Sequence, residues 1–293
     1  MEALIELLQQ NQNLLIISTL ILGLMVGSFL NVVIYRLPKK LNQEWTHQCK
    51  VLLNPEHNEE PPKAISLLWP GSHCPHCKHE ITALQNIPIL SYLLLRGQCA
   101  NCKQAISPRY PIIEAITGLL SGLLAWHFGF SWALLGTLLL FWSLISLTMI
   151  DIDHQILPDV ITLPLLWIGI LFNYHSIYIS LQDSILGAVL GYLSLWGIFH
   201  LFRLLTGKEG MGYGDFKLLA VLGAWMGWKL LPTIILLSSL VGAVVGIAMI
   251  LILGRDRQIP IPFGPYLAGA GIIALFQGDA ITSAYLNWAG LAY

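Results

Sequence analysis

The sequence predicts an all-α polytopic membrane protein of about eight transmembrane helices, with one long polar loop between the first and second. Three observations carry that expectation. The 293-residue chain is 56% hydrophobic and only 11% charged, with a mean hydropathy of +0.69, whereas soluble domains are about 25% charged and about 45–50% apolar. Its apolar runs have the length of about 20 residues that a hydrocarbon core of about 30 Å demands. Its Lys and Arg residues cluster between particular runs, as the positive-inside rule requires.

The runs fall near 14–34, 112–131, 133–150, 160–179, 184–203, 215–229, 231–253 and 263–281. The first is expected to be retained. Met1 to Asn13 carries Glu2 and Glu6 without Lys or Arg, and no small-x-small cleavage site follows. The sixth run is short enough for a half-buried helix, and the eighth is broken near its start by Pro262, Gly264 and Pro265, so seven crossings is the other count.

Basic residues occupy 36–110 (Arg36, Lys39, Lys40, Lys50, Lys63, Lys78, Arg96, Lys103, Arg109), then Arg203, Lys208 and Lys217, then Arg255 and Arg257. Eight spans with an outside N-terminus put all of these in the cytosol and only Lys229 outside, which fixes the orientation. The 36–110 loop and the turns near 151–159, 204–214 and 254–262 are then cytosolic. The net charge of −1 argues against nucleic acid as a partner, because phosphate binding needs a basic surface. Membrane lipid is the expected surrounding.

Two regions emerge: 1–110, one span plus the loop, and 111–293, a bundle with short connections. A proline-rich acidic stretch, Pro55–Pro62, is expected to be a flexible excursion from the loop. Gly23/Gly27, Gly118/Gly122, Gly187/Gly191, Gly223/Gly227 and Gly242/Gly246 are G-x-x-x-G pairs. In lipid such pairs let helix backbones approach closely, so they read as packing faces.

Cys74-Pro-His-Cys77 and Cys99-Ala-Asn-Cys102 form C-x2-C-x21-C-x2-C. Two such knuckles can direct four thiolates at one Zn²⁺, and a reducing cytosol disfavours disulfides; a redox pair is the other reading. His73, His76 and His79 are substitute donors, though four cysteines suffice. A closed four-thiolate site leaves no open position for water, so the metal would fold the loop rather than do chemistry. Cys49 reads as an ordinary free thiol.

Acidic groups near the spans are few, and each is costly inside a membrane. Asp151, Asp153 and Asp159 stand together, and Asp215 follows in Gly212-Tyr-Gly214-Asp215; the topology puts both sites at the cytosolic face. Asp159 and Asp215 are placed to cap the fourth and sixth spans. Asp151 and Asp153 end a span where the helix dipole disfavours negative charge. Two residues apart on a helix, they point in nearly opposite directions, so at most one faces Asp215. A facing pair of carboxylates would share one proton, one accepting a proton from water while the other polarises a scissile carbonyl. Glycines 210, 212 and 214 would let backbone approach an extended substrate.

These residues resemble the bacterial type IV prepilin peptidase and N-methyltransferase family, the G-x-G-D membrane aspartic proteases. The resemblance runs through Gly27-Ser-Phe-Leu-Asn-Val-Val-Ile-Tyr-Arg-Leu-Pro38, the paired knuckles, Ser107-Pro-Arg-Tyr-Pro-Ile-Ile-Glu114, Asp151-Ile-Asp-His-Gln-Ile-Leu-Pro-Asp159 and Gly212-Tyr-Gly-Asp215, in that order and with no departure. It implies an enzyme of the bacterial inner membrane that cleaves leaders from type IV prepilins and type II secretion pseudopilins. The same enzyme then methylates the new N-terminal residue, usually Phe, with S-adenosylmethionine. It makes Asp151 and Asp215 the proteolytic pair, with Asp153, Asp159, Gly212 and Gly214 supporting. Methyl transfer is associated with the first loop, including Leu93-Leu-Leu-Arg-Gly97. The residues themselves predict no methyl transfer: the loop lacks a strand–glycine-loop–helix nucleotide motif, and the donor is placed only near 84–114. Two other classes stay open, a cation carrier or channel using the same aspartates and a zinc-loop scaffold without catalysis. Against the carrier, the acids lie at the membrane edge and no inverted repeat is visible.

Overall fold

The computed structural model describes residues 2–53, 65–67, 69–208, 210–254, 261–288 and 290. The Pro55–Pro62 stretch, Lys63, Arg255 and Arg257 lie outside the described residues. The described residues form ten α-helices: α1 (Glu2–Gln10), α2 (Gln12–Leu53), α3 (Leu90–Leu94), α4 (Arg109–Phe128), α5 (Trp132–His154), α6 (Asp159–Tyr174), α7 (Leu181–Thr206), α8 (Tyr213–Met226), α9 (Leu231–Leu253) and α10 (Gly264–Trp288). Extended pairing among them is limited to two isolated bridges, His73 with Glu80 and Gln98 with Ala105.

Among the described residues, six helical segments are long and apolar enough to cross a membrane: α2, α4, α5, α7, α10 and α9 with the turn before it. Each of the eight expected runs contains an α-helix, but α6 has 16 residues, ending at Tyr174 rather than at 179, and α8 has 14. At 1.5 Å per residue these reach about 24 and 21 Å, short of a hydrocarbon core of about 30 Å.

The chain divides into two compact units, Met1–Leu134 and Leu135–Tyr293. In the first, α2 packs on α4 through small residues. A Cβ on Gly27 would stand 2.8 Å from Glu114 Cα, and one on Gly118 would stand 2.6 Å from Leu24 Cδ2. The sequence suggests that the first span ends near residue 34, yet α2 continues through Pro38 to Leu53. Residues 39–53 include three Lys, three Leu and two Gln, all good helix formers, and Lys40 pairs with Glu44 one turn on. Arg36 ties the following loop back to this helix, donating to the carbonyls of Ser66 (3.1 Å), Pro70 (2.7 Å) and Gly71 (3.3 Å).

In the second unit α8 is the central helix, with every residue from Asp215 to Met226 buried except Lys217. That burial permits its short length, because protein rather than lipid surrounds it. Gly187 of α7 meets Gly223 of α8 backbone to backbone, and Gly191 meets the Leu219 carbonyl. Asn173, fully buried, donates to the carbonyls of Ala224 (2.9 Å) and Trp225 (3.3 Å). Ser184 also donates to Ala224 (2.6 Å). The end of α8 thus has partners for carbonyls that a helix cannot satisfy itself.

Candidate active site

Asp151 lies on the last turn of α5 and is buried, 5% exposed, while Asp153 is exposed. Packing thus makes the choice that periodicity leaves open. A carboxylate at a helix C-terminus faces unsatisfied carbonyls and needs a compensating donor. That donor is the Gly264 N–H, 3.0 Å from Asp151 Oδ2, at the first residue of α10. A helix N-terminus is aimed at the acid, and its dipole favours negative charge there. Gly264 permits the approach: a Cβ on it would stand 2.7 Å from Asp151 Oδ2 and 3.2 Å from Leu157 Cδ2.

Asp215 is also buried, 6% exposed, on the first turn of α8. Its Oδ2 accepts the Gly212 N–H at 3.3 Å. This is half of a capping box, since Gly212 has no side chain to return the bond. Gly214 is pressed against Leu157, where a Cβ would lie 2.8 Å from Leu157 Cβ. Leu157 therefore touches both glycines beside the two acids. Asp151 and Asp215 are close enough to interact through their charges.

Asp159 is not the N-cap of α6. That position is Pro158, and Asp159 is the first helical residue. Its carboxylate instead receives Lys217 Nζ at 2.6 and 2.8 Å, joining the start of α6 to α8. In the sequence Gly264 stands only as an interruption and Lys217 only as a cytosolic charge. A backbone donor has no side-chain signature, so the Pro262-Phe-Gly-Pro265 turn is its only signal.

The four cysteines are brought together in the first unit, their sulfurs all within 4.8 Å of one another. Cys74 and Cys102 sulfurs are 3.8 Å apart, Cys77 and Cys99 sulfurs 4.0 Å. A tetrahedron with metal–sulfur bonds of about 2.3 Å has edges of about 3.8 Å, so the donor set fits a metal ion. The two knuckles repeat one construction. Lys78 N–H donates to the Cys74 carbonyl and Lys103 N–H to the Cys99 carbonyl, and both lysines have φ of 60°. The His79 amide holds the Cys77 thiol down to about 6, and the amides of Cys102 and Asn101 lower Cys99. Cys102 is pushed up to about 11 although the Gln104 amide lowers it, because desolvation and the other sulfurs oppose a further charge. A cation held by the four sulfurs would remove that repulsion. Gly97, with φ of 69°, lies just before the second knuckle, where a Cβ would stand 3.0 Å from the Tyr92 hydroxyl.

Fold and site together define a multi-pass helical membrane protein that carries a buried aspartate pair in one unit and a four-cysteine cluster in the other. Family models give the same division. The bacterial peptidase A24 N-terminal domain matches residues 21–128, and the type IV leader peptidase family matches residues 138–247. The chain is 54% identical over 288 residues to the prepilin leader peptidase/N-methyltransferase of Stutzerimonas stutzeri, covering 98% of this chain and 99% of that one. It is equally similar to the protein of that name in Pseudomonas aeruginosa. The Neisseria gonorrhoeae protein is 51% identical over 268 residues, 92% of each chain. No solved structure matches. This chain belongs to the type IV leader peptidase family.

Proposed function

We propose that the chain cleaves the leader peptides of type IV prepilins and type II secretion pseudopilins and then N-methylates the new N-terminal residue, usually phenylalanine. Its place is the bacterial inner membrane, with the aspartates and the cysteine loop facing the cytosol. The observation that carries the proteolytic half is the placement of Asp151 and Asp215, both buried, both held by a backbone N–H and close enough to feel each other's charge. Two facing carboxylates resist ionising together, so the pair works with one proton shared between them. The ionised member takes a proton from the attacking water while the protonated member polarises the scissile carbonyl. Gly264 and Gly212 fix where each carboxylate stands. Asp159, through Lys217, steadies the start of α8. Gly214, pressed against Leu157, supports the same turn, while Asp153 lies on the exposed face of α5.

Residues 111–293 carry peptide cleavage in this reading, and residues 1–110 carry methyl transfer. Zn²⁺ is the metal that fits Cys74, Cys77, Cys99 and Cys102. Four thiolates leave it no open position, so it would order the loop. The methyl donor is S-adenosylmethionine, which supplies an electrophilic methyl group, and Gly97 lies in the segment associated with that step. Among the described residues, 84–114 form no strand–glycine-loop–helix cradle, so the donor would be held by a different construction. The relatives' names support both activities. Mass spectrometry of a prepilin incubated with the purified chain and S-adenosylmethionine tests the reading. Loss of the leader followed by gain of one methyl group is expected. A prepilin recovered intact would refute it, and a cleaved but unmethylated product would leave a protease alone.

A further inference from the structure

The loop between α2 and α4 is polar overall, yet its short helix α3 turns leucines outward. Leu90, Leu93 and Leu94 are 50, 64 and 74% exposed. Apolar groups gathered in this way on a water-facing domain call for a covering surface.

The depth of α3 in the molecule names that surface. The amide of Ile89, directly before α3, donates to Glu114 Oε2 at 2.8 Å. Glu114 is buried, and Ser28 of α2 also hydrogen-bonds its carboxylate. Ile89 has φ of 59°, a conformation that a β-branched residue keeps only where its surroundings enforce it. Glu114 is the sixth residue of α4, so it lies about 7–8 Å along the axis from Arg109. The 20 residues of α4 extend about 30 Å and just fill a hydrocarbon core. Side chains on a helix lean toward its N-terminus, so the Glu114 carboxylate reaches back toward the membrane surface.

The surface level is marked independently. Tyr110 at the start of α4 and Tyr35 on α2 are 44 and 52% exposed, and tyrosine favours the boundary between headgroups and acyl chains. Lys39 stacks over the Tyr35 ring. Above Glu114, the outward residues Ile116, Leu119 and Leu123 of α4 are apolar. A segment bonded to Glu114 therefore starts at lipid depth. The exposed Arg96, two residues beyond α3, is placed to meet headgroup phosphates.

We propose that α3 lies in the bilayer interface, with Leu90, Leu93 and Leu94 among the acyl chains and Glu114 as the positioning residue that holds it there. The loop is then docked on lipid along this edge. Its functional consequence rests on the methyl-transfer reading above: Gly97 would work at the membrane surface, level with a substrate N-terminus leaving the bilayer.

The test uses the full chain in nanodiscs of phosphatidylethanolamine and phosphatidylglycerol, with the photoreactive residue benzoylphenylalanine replacing Leu93, Leu94 or, as a control, the exposed Lys103. Only protein with the melting temperature of the unmodified chain is irradiated, and adducts are identified by mass spectrometry. Lipid adducts at 93 and 94 but not at 103 are expected, with prepilin present or absent. Absence of lipid at both positions, adducts to prepilin in its place, or equal lipid labelling at 103 would overturn the proposal. Because the readout is lipid contact, it does not depend on whether the chain methylates anything.

Discussion

Gly264→Ala is the most informative single change, because it moves Asp151 without altering its chemistry. The added Cβ would stand 2.7 Å from Asp151 Oδ2, so the carboxylate must retreat by about 0.7 Å to reach the 3.4 Å at which ordinary van der Waals contact begins. Leu157 Cδ2, at 3.2 Å, restricts escape on one side. Gly264 does not have a positive φ, so alanine brings no backbone strain and the effect is confined to the contact. Misplacing a reacting group by about 1 Å costs about 100-fold in rate, and a shift of this size should lower leader cleavage on the order of 10- to 100-fold. The assay is single-turnover cleavage of a prepilin by the purified variant in lipid, beside Gly269→Ala. Gly269 lies on the same helix, and a Cβ added there would meet nothing within 4 Å, so that variant should cleave at the native rate. Native-rate cleavage by Gly264→Ala would refute the idea that this close approach sets the position of Asp151.

Gly187→Ala would drive a Cβ into the Gly223 carbonyl, where backbone cannot yield. It should cost roughly 1–3 kcal/mol, seen as a lower melting temperature in detergent, while Gly197→Ala, with open space around it, should not. Lys217→Met removes a partly exposed ion pair to Asp159 and should cost at most about 1 kcal/mol, read from the same thermal melt. Acid should release metal from the cysteine centre, because ligands must be thiolates. Metal content measured as the pH is lowered from about 8 should therefore fall as the thiolates take up protons, and a chain that holds no metal at about pH 8 under reducing conditions would contradict the four-thiolate reading.

The parts of this molecule legible in its sequence are those fixed by local or bulk physics. Hydrocarbon thickness sets the length of an apolar run, which exposes the long spans, and the two C-x2-C turns each place a pair of sulfurs within a few residues. The continuation of α2 past Pro38 is hidden because proline and a polar composition both signal an ending, although Lys40 and Glu44 lie one turn apart on that helix. The choice between Asp151 and Asp153 is also hidden. Helical geometry says that one turns inward, but which one depends on where α10 packs. Asp159 resembles a cap because it follows proline at a helix start, and only the fold brings Lys217 to it. Gly264 is the hardest to find, since its contribution is an N–H that every residue but proline carries.

The central claim is that Asp151 and Asp215 act as a pair while Asp153 stands outside it. The direct measurement is the rate of prepilin cleavage by purified Asp151→Asn, Asp215→Asn and Asp153→Asn variants of matched thermal stability. Either change within the pair should lower the rate on the order of 10³-fold or more, with no further loss when the two are combined, and Asp153→Asn should retain most of it. Cleavage at the native rate by either pair variant, or its abolition by Asp153→Asn alone, would contradict the account.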